Sequence, residues 1–325
     1  MPDAESKRVA LVTGAGGFIG GHLVSRLLRD GWRVRAIDNR ALTDWAQLHD
    51  RAESLRLDLR DPAACRTGIA GSTWVFNLAA DMGGMGFIES HRAECMLNVL
   101  INTQMLVAAK DAGVERYFFA SSACVYPQMR QDRIDLPALR EQDAYPADPE
   151  DGYGWEKLFG ERLCRHFAED YGFDARVGRL HNVYGPFGAW RGGREKAPAA
   201  LCRKVLEAAA TADPQIAIWG DGSQKRSFLY VDDAVDGILR VMQGPTRGPI
   251  NIGSEERVSV DELVSVLEEL AGVRCTRSYD TTAPRGVVGR SSDNTRMRAE
   301  LGWEPNVPLR DGLGRLMRWM RPLLG

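Results

Sequence analysis

The stretch Val9-Ala10-Leu11-Val12-Thr13-Gly14-Ala15-Gly16-Gly17-Phe18-Ile19-Gly20 decides the fold. From Arg8 to Thr13 the run is short, apolar and β-branched, which suits a strand buried on both faces. Gly14, Gly17 and Gly20 follow at intervals of three, and Phe18, Ile19, Leu23, Leu27 and Leu28 then repeat at helical spacing up to the breaker Gly31. Strand, glycine turn and helix make one βα unit. Such a turn leaves the first N–H groups of the helix, and the positive end of its dipole, facing whatever binds there, which favours a pyrophosphate. Gly14 permits the tight turn, Gly17 the close phosphate approach and Gly20 the close packing of helix on sheet.

Working outward, apolar stretches at Val34 to Ile37, Ser54 to Leu57, Thr73 to Leu78, Arg116 to Ala120 and Ala175 to Leu180 alternate with helical stretches around 62–70, 91–112 and 151–171. That alternation predicts an α/β fold, a doubly wound, mainly parallel sheet with helices on both faces. After about residue 180 loops such as Tyr184-Gly185-Pro186-Phe187-Gly188 break the texture. The expected division is a dinucleotide-binding Rossmann domain over 1–179 and a smaller α/β substrate domain over 180–325, with the segment around 226–243 folding back onto the first. Trp303 to Gly325 reads as an amphipathic closing helix preceded by Pro305 and Pro308.

Composition narrows the function. The 325 residues carry 42 Lys and Arg against 44 Asp and Glu, so no basic excess supports nucleic-acid binding. No run reaches the roughly 18 apolar residues of a membrane span, and Met1 to Ser6 lacks the layout of a signal peptide. A cytoplasmic protein is expected. The six cysteines, Cys65, Cys95, Cys124, Cys164, Cys202 and Cys275, are scattered and never form C-x-x-C, so neither a metal site nor a disulfide framework is signalled.

Two further features specify the chemistry. Asp38 closes the second apolar stretch, about twenty residues beyond the glycines, where a carboxylate can accept hydrogen bonds from both ribose hydroxyls of NAD. It would repel a 2′-phosphate, although Arg40 stands close by. Asp58, after the third strand, can reach the adenine or cap a helix. In Tyr153-Gly154-Trp155-Glu156-Lys157, Tyr153 and Lys157 share one helix face. An ammonium near a phenol stabilises the phenolate, which can then take a hydroxyl proton while hydride leaves the same carbon. Ser122 ends the strand beside them, at the sheet edge where ligands bind in such folds.

Taken with Asn77-Leu-Ala-Ala80, Ser121-Ser122-Ala-Cys124-Val-Tyr126, Tyr184-Gly185-Pro186 and Arg226-Ser-Phe-Leu-Tyr-Val-Asp232-Asp233, the chain resembles the extended short-chain dehydrogenase/reductase family of sugar-nucleotide enzymes over nearly its whole length. Within that family it is most similar to the GDP-mannose 3,5-epimerase branch. Three unusual strings carry the similarity: Ala80-Asp-Met-Gly83-Gly84-Met-Gly86-Phe-Ile88, Ser122-Ala-Cys124-Val-Tyr-Pro127 and Gly192-Gly-Arg194-Glu-Lys196-Ala-Pro198. The resemblance implies NAD as cofactor, held by Gly14, Gly17, Phe18, Ile19, Gly20, Asp38, Asp58, Tyr153 and Lys157. Catalysis would rest on Ser122, Tyr153 and Lys157, with Cys124 and Lys196 as an acid/base pair on opposite sides of the sugar.

The substrate implied is a nucleotide-diphosphate sugar, GDP-mannose or a relative. Residues 181–230 hold seven Lys and Arg against four Asp and Glu, a local excess that suits such an anion. By resemblance Lys204, Arg226 and Arg290 grip the diphosphate, while Asn182, Gln224, Lys196 and the backbone at Gly83, Gly84 and Met85 hold the sugar. The family commonly shows G-V-R-G-R where this chain has Gly286-Val287-Val288-Gly289-Arg290, so one expected cation is missing. Related enzymes form homodimers through the helices that fall here near 91–112 and 151–171. The competing readings are a C4 epimerase, a 4,6-dehydratase and a non-catalytic NAD-binding regulator. Ala123-Cys124 stands where a dehydratase has an Asp-Glu pair, and a regulator has no need of Tyr153, Lys157 and Ser122.

Overall fold

The apolar run after Arg8 forms β1 (Val9–Thr13), with Ala10 and Val12 in one core and Leu11 in the other. Burial on both faces is the reason its sequence shows no polar alternation. The computed structural model describes residues 8–283 and 286–324; the segment Met1 to Ser6 and the side chain of Met85 lie outside the described residues. The chain continues through α1 (Phe18–Arg29), β2 (Arg33–Asp38), β3 (Glu53–Arg56), α2 (Pro62–Ile69), β4 (Trp74–Asn77), α3 (Met85–Ser90), α4 (Arg92–Met96), α5 (Asn98–Asp111), β5 (Arg116–Ser122), α6 (Asp151–Tyr171) and β6 (Ala175–Leu180). It then passes through β7 (Val183–Tyr184), α7 (Ala197–Ala209), β8 (Gln215–Trp219), β9 (Lys225–Ser227), β10 (Leu229–Tyr230), α8 (Val231–Gln243), β11 (Ile250–Ile252), β12 (Arg257–Ser259), α9 (Val260–Ala271), β13 (Thr276–Asp280), β14 (Gly289–Arg290), α10 (Thr295–Leu301) and α11 (Leu309–Met320).

Seven strands join in the order β11-β6-β5-β4-β1-β2-β3, each neighbouring pair parallel. Leu23 and Leu27 of α1 share a core with Val235 and Ile238 of α8 on one face of the sheet. Cys65 and Ile69 of α2, Met105 and Leu106 of α5 and Cys164 of α6 fill the other. After β1 the chain builds outward to β2 and β3, then returns to lay β4 on the opposite side of β1. The carboxyl ends of β1 and β4 therefore flank a crevice, the usual ligand position in open α/β sheets. Thr13 closes that point: its Oγ1 donates to Asn77 Oδ1 at 2.8 Å and accepts from the N–H groups of Leu78 and Ala79, each at 3.1 Å.

The elements beyond residue 180 do not separate cleanly in sequence. As α8 packs on α1, so β11 returns to pair with β6, extending the large sheet beyond the 226–243 segment expected to fold back. Away from that sheet, α7, α9 and α11 pack on one another, and short sheets pair β12, β9 and β14, and β13 with β8. The single helix expected over 91–112 is split: α4 ends at Met96 and α5 starts at Asn98.

Candidate active site

The glycine turn is built for contact with something that a side chain would displace. Gly14 has φ +69°, and a Cβ there would stand 3.0 Å from the backbone of Leu78 and Ala79. A Cβ on Gly20 would collide with the Gly14 carbonyl, so α1 can approach β1 only because none is present. Gly17 precedes α1 and brings no capping side chain, which leaves the helix N-terminus to an external acceptor. At the end of β2, Asp38 is buried and accepts from the backbone N, Nε and Nη2 of Arg40 at 3.0–3.1 Å. Arg40 Nη2 also comes within 3.4 Å of where a Gly17 Cβ would lie. An open glycine cradle, an uncapped helix end and a carboxylate at the second strand end fit a dinucleotide. Asp58 accepts from Arg60, which holds its carboxyl below the usual range, and α2 is capped by Asp61 instead.

On the other side of the crevice, Ser122 ends β5 and its Oγ accepts from the Cys124 N–H at 3.2 Å. Tyr153 on α6 is buried and faces the Ser122 side chain. Burial pushes the Tyr153 phenol well up; the Glu156 and Cys124 charges add to that, and the Ser122 hydroxyl opposes it. Lys157 lies beside Tyr153 and also meets its neighbour in the chain, Glu156. Its Nζ sits 5.5 Å from the Tyr153 ring centroid and 5.1 Å from that of Phe119, and its ion partner is Glu156 Oε1 at 3.2 Å. The ammonium therefore stands between the Tyr153 ring and the adjacent carboxylate.

Cys124 is buried in a cluster with Tyr153, Phe87, Ile88 and Cys95. The Glu150 N–H donates to its carbonyl at 2.9 Å, and a Cβ on Gly154 would strike the same oxygen, so the start of α6 rests directly on this turn. Lys196 immediately precedes α7, with Pro198 in the first turn. Burial pushes its ammonium below the ordinary lysine value, and Cys124 is the charge it faces. The structure thus brings Ser122, Tyr153, Cys124 and Lys196 together from three separate parts of the chain.

The residues expected to contact the diphosphate are more dispersed. Arg290 on β14 is buried, donates from Nε to Gln131 Oε1 at 2.5 Å, forms an ion pair with Glu150 and faces the Cys124 side chain. It therefore lies at the thiol. Arg226 on β9 is half-buried, and desolvation pushes its guanidinium down to about 10. Lys204 on α7 donates to the Ala217 carbonyl at 2.6 Å beside Trp219. Asn182, with φ +39°, donates from Nδ2 to the Ser227 carbonyl at 3.0 Å. Gln224 is buried with Oε1 lacking a partner among the described residues, an acceptor open to a ligand. Gly84 donates to the Arg194 carbonyl at 3.0 Å, and a Cβ there would stand 2.5 Å from the Glu195 oxygen. Gly83 abuts Phe87, and Met85 opens α3.

Sequence reasoning passed over Glu150, Glu156, Gln131 and Arg194. The signal for Glu156 lay inside the Tyr153 to Lys157 motif, as a charge on a helix whose neighbours are buried. Glu150, Gln131 and Arg194 act through contacts distant in sequence, for which spacing carries no signal.

Comparison with known proteins places this architecture in a class. The profile of the NAD dependent epimerase/dehydratase family matches residues 10–253. The chain belongs to that family, and the cofactor its residues fit is NAD. Among more specific relatives, GDP-mannose 3,5-epimerase 1 of Oryza sativa subsp. japonica is 45% identical over 322 residues, covering 98% of this chain and 82% of that protein. GDP-mannose 3,5-epimerase of Arabidopsis thaliana is 43% identical over 317 residues, covering 95% and 81%. Among solved structures, MoeE5 in complex with UDP-glucose and NAD superposes with TM-score 0.82 at 31% identity, over 98% of this chain and all of that one. UDP-glucose 4-epimerase of Thermotoga maritima with UDP-glucose gives TM-score 0.86 at 26% identity, over 98% and 100% of the two chains.

Proposed function

We propose that this protein is a GDP-mannose 3,5-epimerase: it oxidises C4 of the hexose transiently, inverts C5 and C3, and reduces C4 again with the same cofactor. The observation that carries the reading is the convergence of Cys124 and Lys196 beside Tyr153. A C4 epimerase needs only the tyrosine side of this site. Inversion beside a carbonyl needs two proton carriers, one to remove the proton and one to return it on the other face.

NAD supplies the hydride acceptor and returns the hydride at the end. The rest falls to the protein. Tyr153, assisted by Ser122, takes the C4 hydroxyl proton as hydride leaves the same carbon. With C4 a ketone, the C5 and C3 protons become acidic, and the enolate is protonated from the opposite side. Lys196 is suited to this exchange because burial brings its amine toward working pH. Cys124 faces it across the site, with the Arg290 guanidinium alongside. The phenol proton then returns to the C4 oxygen, so the cycle has no net redox. Arg226, with Lys204, supplies positive charge for the diphosphate, and the open Gln224 Oε1 an acceptor for the sugar or base.

The deciding experiment is incubation with GDP-mannose in deuterated water followed by NMR. Deuterium entering C5 and C3, lost in Cys124→Ser and Lys196→Ala, supports the assignment. A galacto-type product without deuterium at either carbon points to the C4 epimerase that the Thermotoga likeness would suggest. We infer further that the protein is a homodimer in the cytoplasm. Supporting the dimer, Met96, Leu97 and Leu100 at the α4–α5 junction and Trp155 and Phe159 on α6 are each 42–49% exposed, an apolar surface that favours burial. Replacing Trp155 and Phe159 by Lys should give monomers by light scattering. The cytoplasmic assignment rests on free thiols at all six cysteines and on the absence, among described residues, of a helix long and apolar enough to cross a membrane.

A further inference from the structure

We propose that Arg40 widens the choice of cofactor: clamped on Asp38, it cancels the charge that would exclude a 2′-phosphate and offers spare guanidinium N–H groups to one, so that the dinucleotide site takes NADP as well as NAD. The inference rests on the dinucleotide site alone and not on the sugar chemistry proposed above.

A carboxylate at the end of the second strand selects NAD in two ways. It accepts hydrogen bonds from the ribose hydroxyls, and its charge repels a phosphate in their place. Here one neighbour weakens both. An ionised carboxylate offers about four acceptor positions. Asp38 Oδ1 takes the Arg40 backbone N–H at 3.1 Å and Nε at 3.0 Å, and Oδ2 takes Nη2 at 3.0 Å. That leaves one position, on Oδ2, where two ribose hydroxyls need two. The fork also holds a positive charge in contact with the carboxylate, so Asp38 presents little net charge to its surroundings.

Arg40 keeps donors in reserve. A guanidinium carries five N–H groups, and the clamp uses one on Nε and one on Nη2. The others have no partner among the described residues, and the side chain is 44% exposed where that of Asp38 is only 7% exposed. The fork lies over the glycine turn, with Nη2 within 3.4 Å of the point a Gly17 Cβ would occupy. The fold gives that place to the pyrophosphate and its adjoining ribose. Arg40 is also fixed from behind. Trp45 Nε1 donates to its carbonyl at 3.3 Å, the Trp45 ring covers Gly16 so closely that a Cβ there would stand 2.7 Å from it, and the Ala46 N–H donates to the Gly16 carbonyl at 3.0 Å.

A second cation stands beside the first. Arg56 at the end of β3 is level with Asp38 in the ladder, is exposed, and donates from Nε to the Asn39 carbonyl at 3.1 Å. It pairs with no carboxylate among the described residues, whereas Arg60 is committed to Asp58. Asp44 is the other carboxylate whose charge reaches Arg40. The ends of β2 and β3 thus set Asp38 and Asp44 against Arg40 and Arg56, which leaves no negative excess to repel a phosphate. Guanidinium groups with free N–H edges are the donors that suit one.

The test measures binding and not turnover. The full chain is titrated with NADH and with NADPH and followed by nicotinamide fluorescence. Nucleotide bound at the end is identified by chromatography of the denatured protein, so that carried-over NAD is counted. In the parent, NADPH should bind within about tenfold of NADH, and added salt should weaken NADPH the more, because it carries the extra charge. Arg40→Met removes clamp and cation together and uncovers the Asp38 charge. NADPH should then weaken by about tenfold or more, while NADH, whose ribose regains the Asp38 oxygens, should bind as well or better. Arg56→Met should cost NADPH about threefold and leave NADH alone. Asp38→Asn removes the repelling charge and should turn the preference toward NADPH, which keeps the test available if Arg40→Met does not fold. No NADPH bound by the parent at about a hundred times the NADH concentration that saturates it would overturn the proposal. So would an equal loss of both nucleotides in Arg40→Met, the result expected of a clamp that only holds the loop in place.

Discussion

Lys196 shows how burial turns a common residue into a usable base. Its ammonium is pushed below the ordinary lysine value by partial burial, and Cys124 is the charge it faces. A lowered value means that more of the side chain is the neutral amine near pH 7, the form that can take a carbon-bound proton. Lys196→Arg tests the distinction between charge and basicity. A guanidinium keeps the positive charge for the substrate but stays protonated at any working pH. We expect solvent deuterium incorporation to fall by about a hundredfold or more. Formation of reduced cofactor on mixing with GDP-mannose, which depends on Tyr153, should persist. Cofactor absorbance and NMR on the same sample separate the two steps, and equal loss of both would show that Lys196 acts on binding instead.

At the scale of elements, Lys196 is carried by a strap that starts at Gly192 and Gly193, whose φ angles of +90° and +84° are open to glycine. Arg194 latches the strap: Nη1 pairs with Asp81 at 2.6 Å, the guanidinium covers the Phe87 ring at 3.7 Å, and its carbonyl accepts from Gly84. Gly84→Ala would drive a methyl to 2.5 Å from the Glu195 carbonyl, so the strap must lift. We predict a kcat loss of about tenfold or more, consistent with displacement of a catalytic group by about 1 Å, with Tm changed by only a few degrees. Differential scanning calorimetry alongside steady-state kinetics checks both; an unchanged kcat would show that the latch does not position Lys196. This latch was only half legible in the sequence. The string Gly192 to Pro198 marked the region, but which surface Arg194 grips depends on the folding of a segment over a hundred residues away. By contrast β1, its glycine turn and α1 were readable because their contacts are local and periodic. β11 escaped because three residues, Ile250–Ile252, are too few to show a period. The turning of Lys157 onto Glu156 escaped because helical spacing gives the face of a residue and not the direction of its last torsions.

Across the whole molecule, the sheet and the elements that cover its edge are joined by buried polar groups whose charge states set a pH limit. Arg179 on β6 donates to Glu161 on α6 at 2.6 and 2.8 Å and to the Glu141 carbonyl at 2.7 Å. Tyr126 and His181 both reach Asn251 Oδ1 on β11, at 2.5 and 3.0 Å. His181 is fully buried and carried down to about 4 from an ordinary 6.5, chiefly by desolvation, with the Arg179 charge adding to the effect. Its folded form therefore refuses a proton that the unfolded chain accepts once pH falls below about 6.5. Stability from this group is complete above that pH and is lost progressively down to about pH 4, by about 3 kcal/mol in total. Glu141, whose carboxyl burial pushes up, works in the opposite sense as pH falls, so the bare curve mixes the two. Subtracting the curve of His181→Gln, which keeps a donor for Asn251 but cannot titrate, isolates the histidine. We expect urea midpoints of the two proteins to run parallel above pH 7 and to diverge between pH 6.5 and 4, the parent losing more. Parallel curves throughout that window would mean that His181 is not held neutral by the fold, and the polar seam joining β6 to β11 would have to be redrawn.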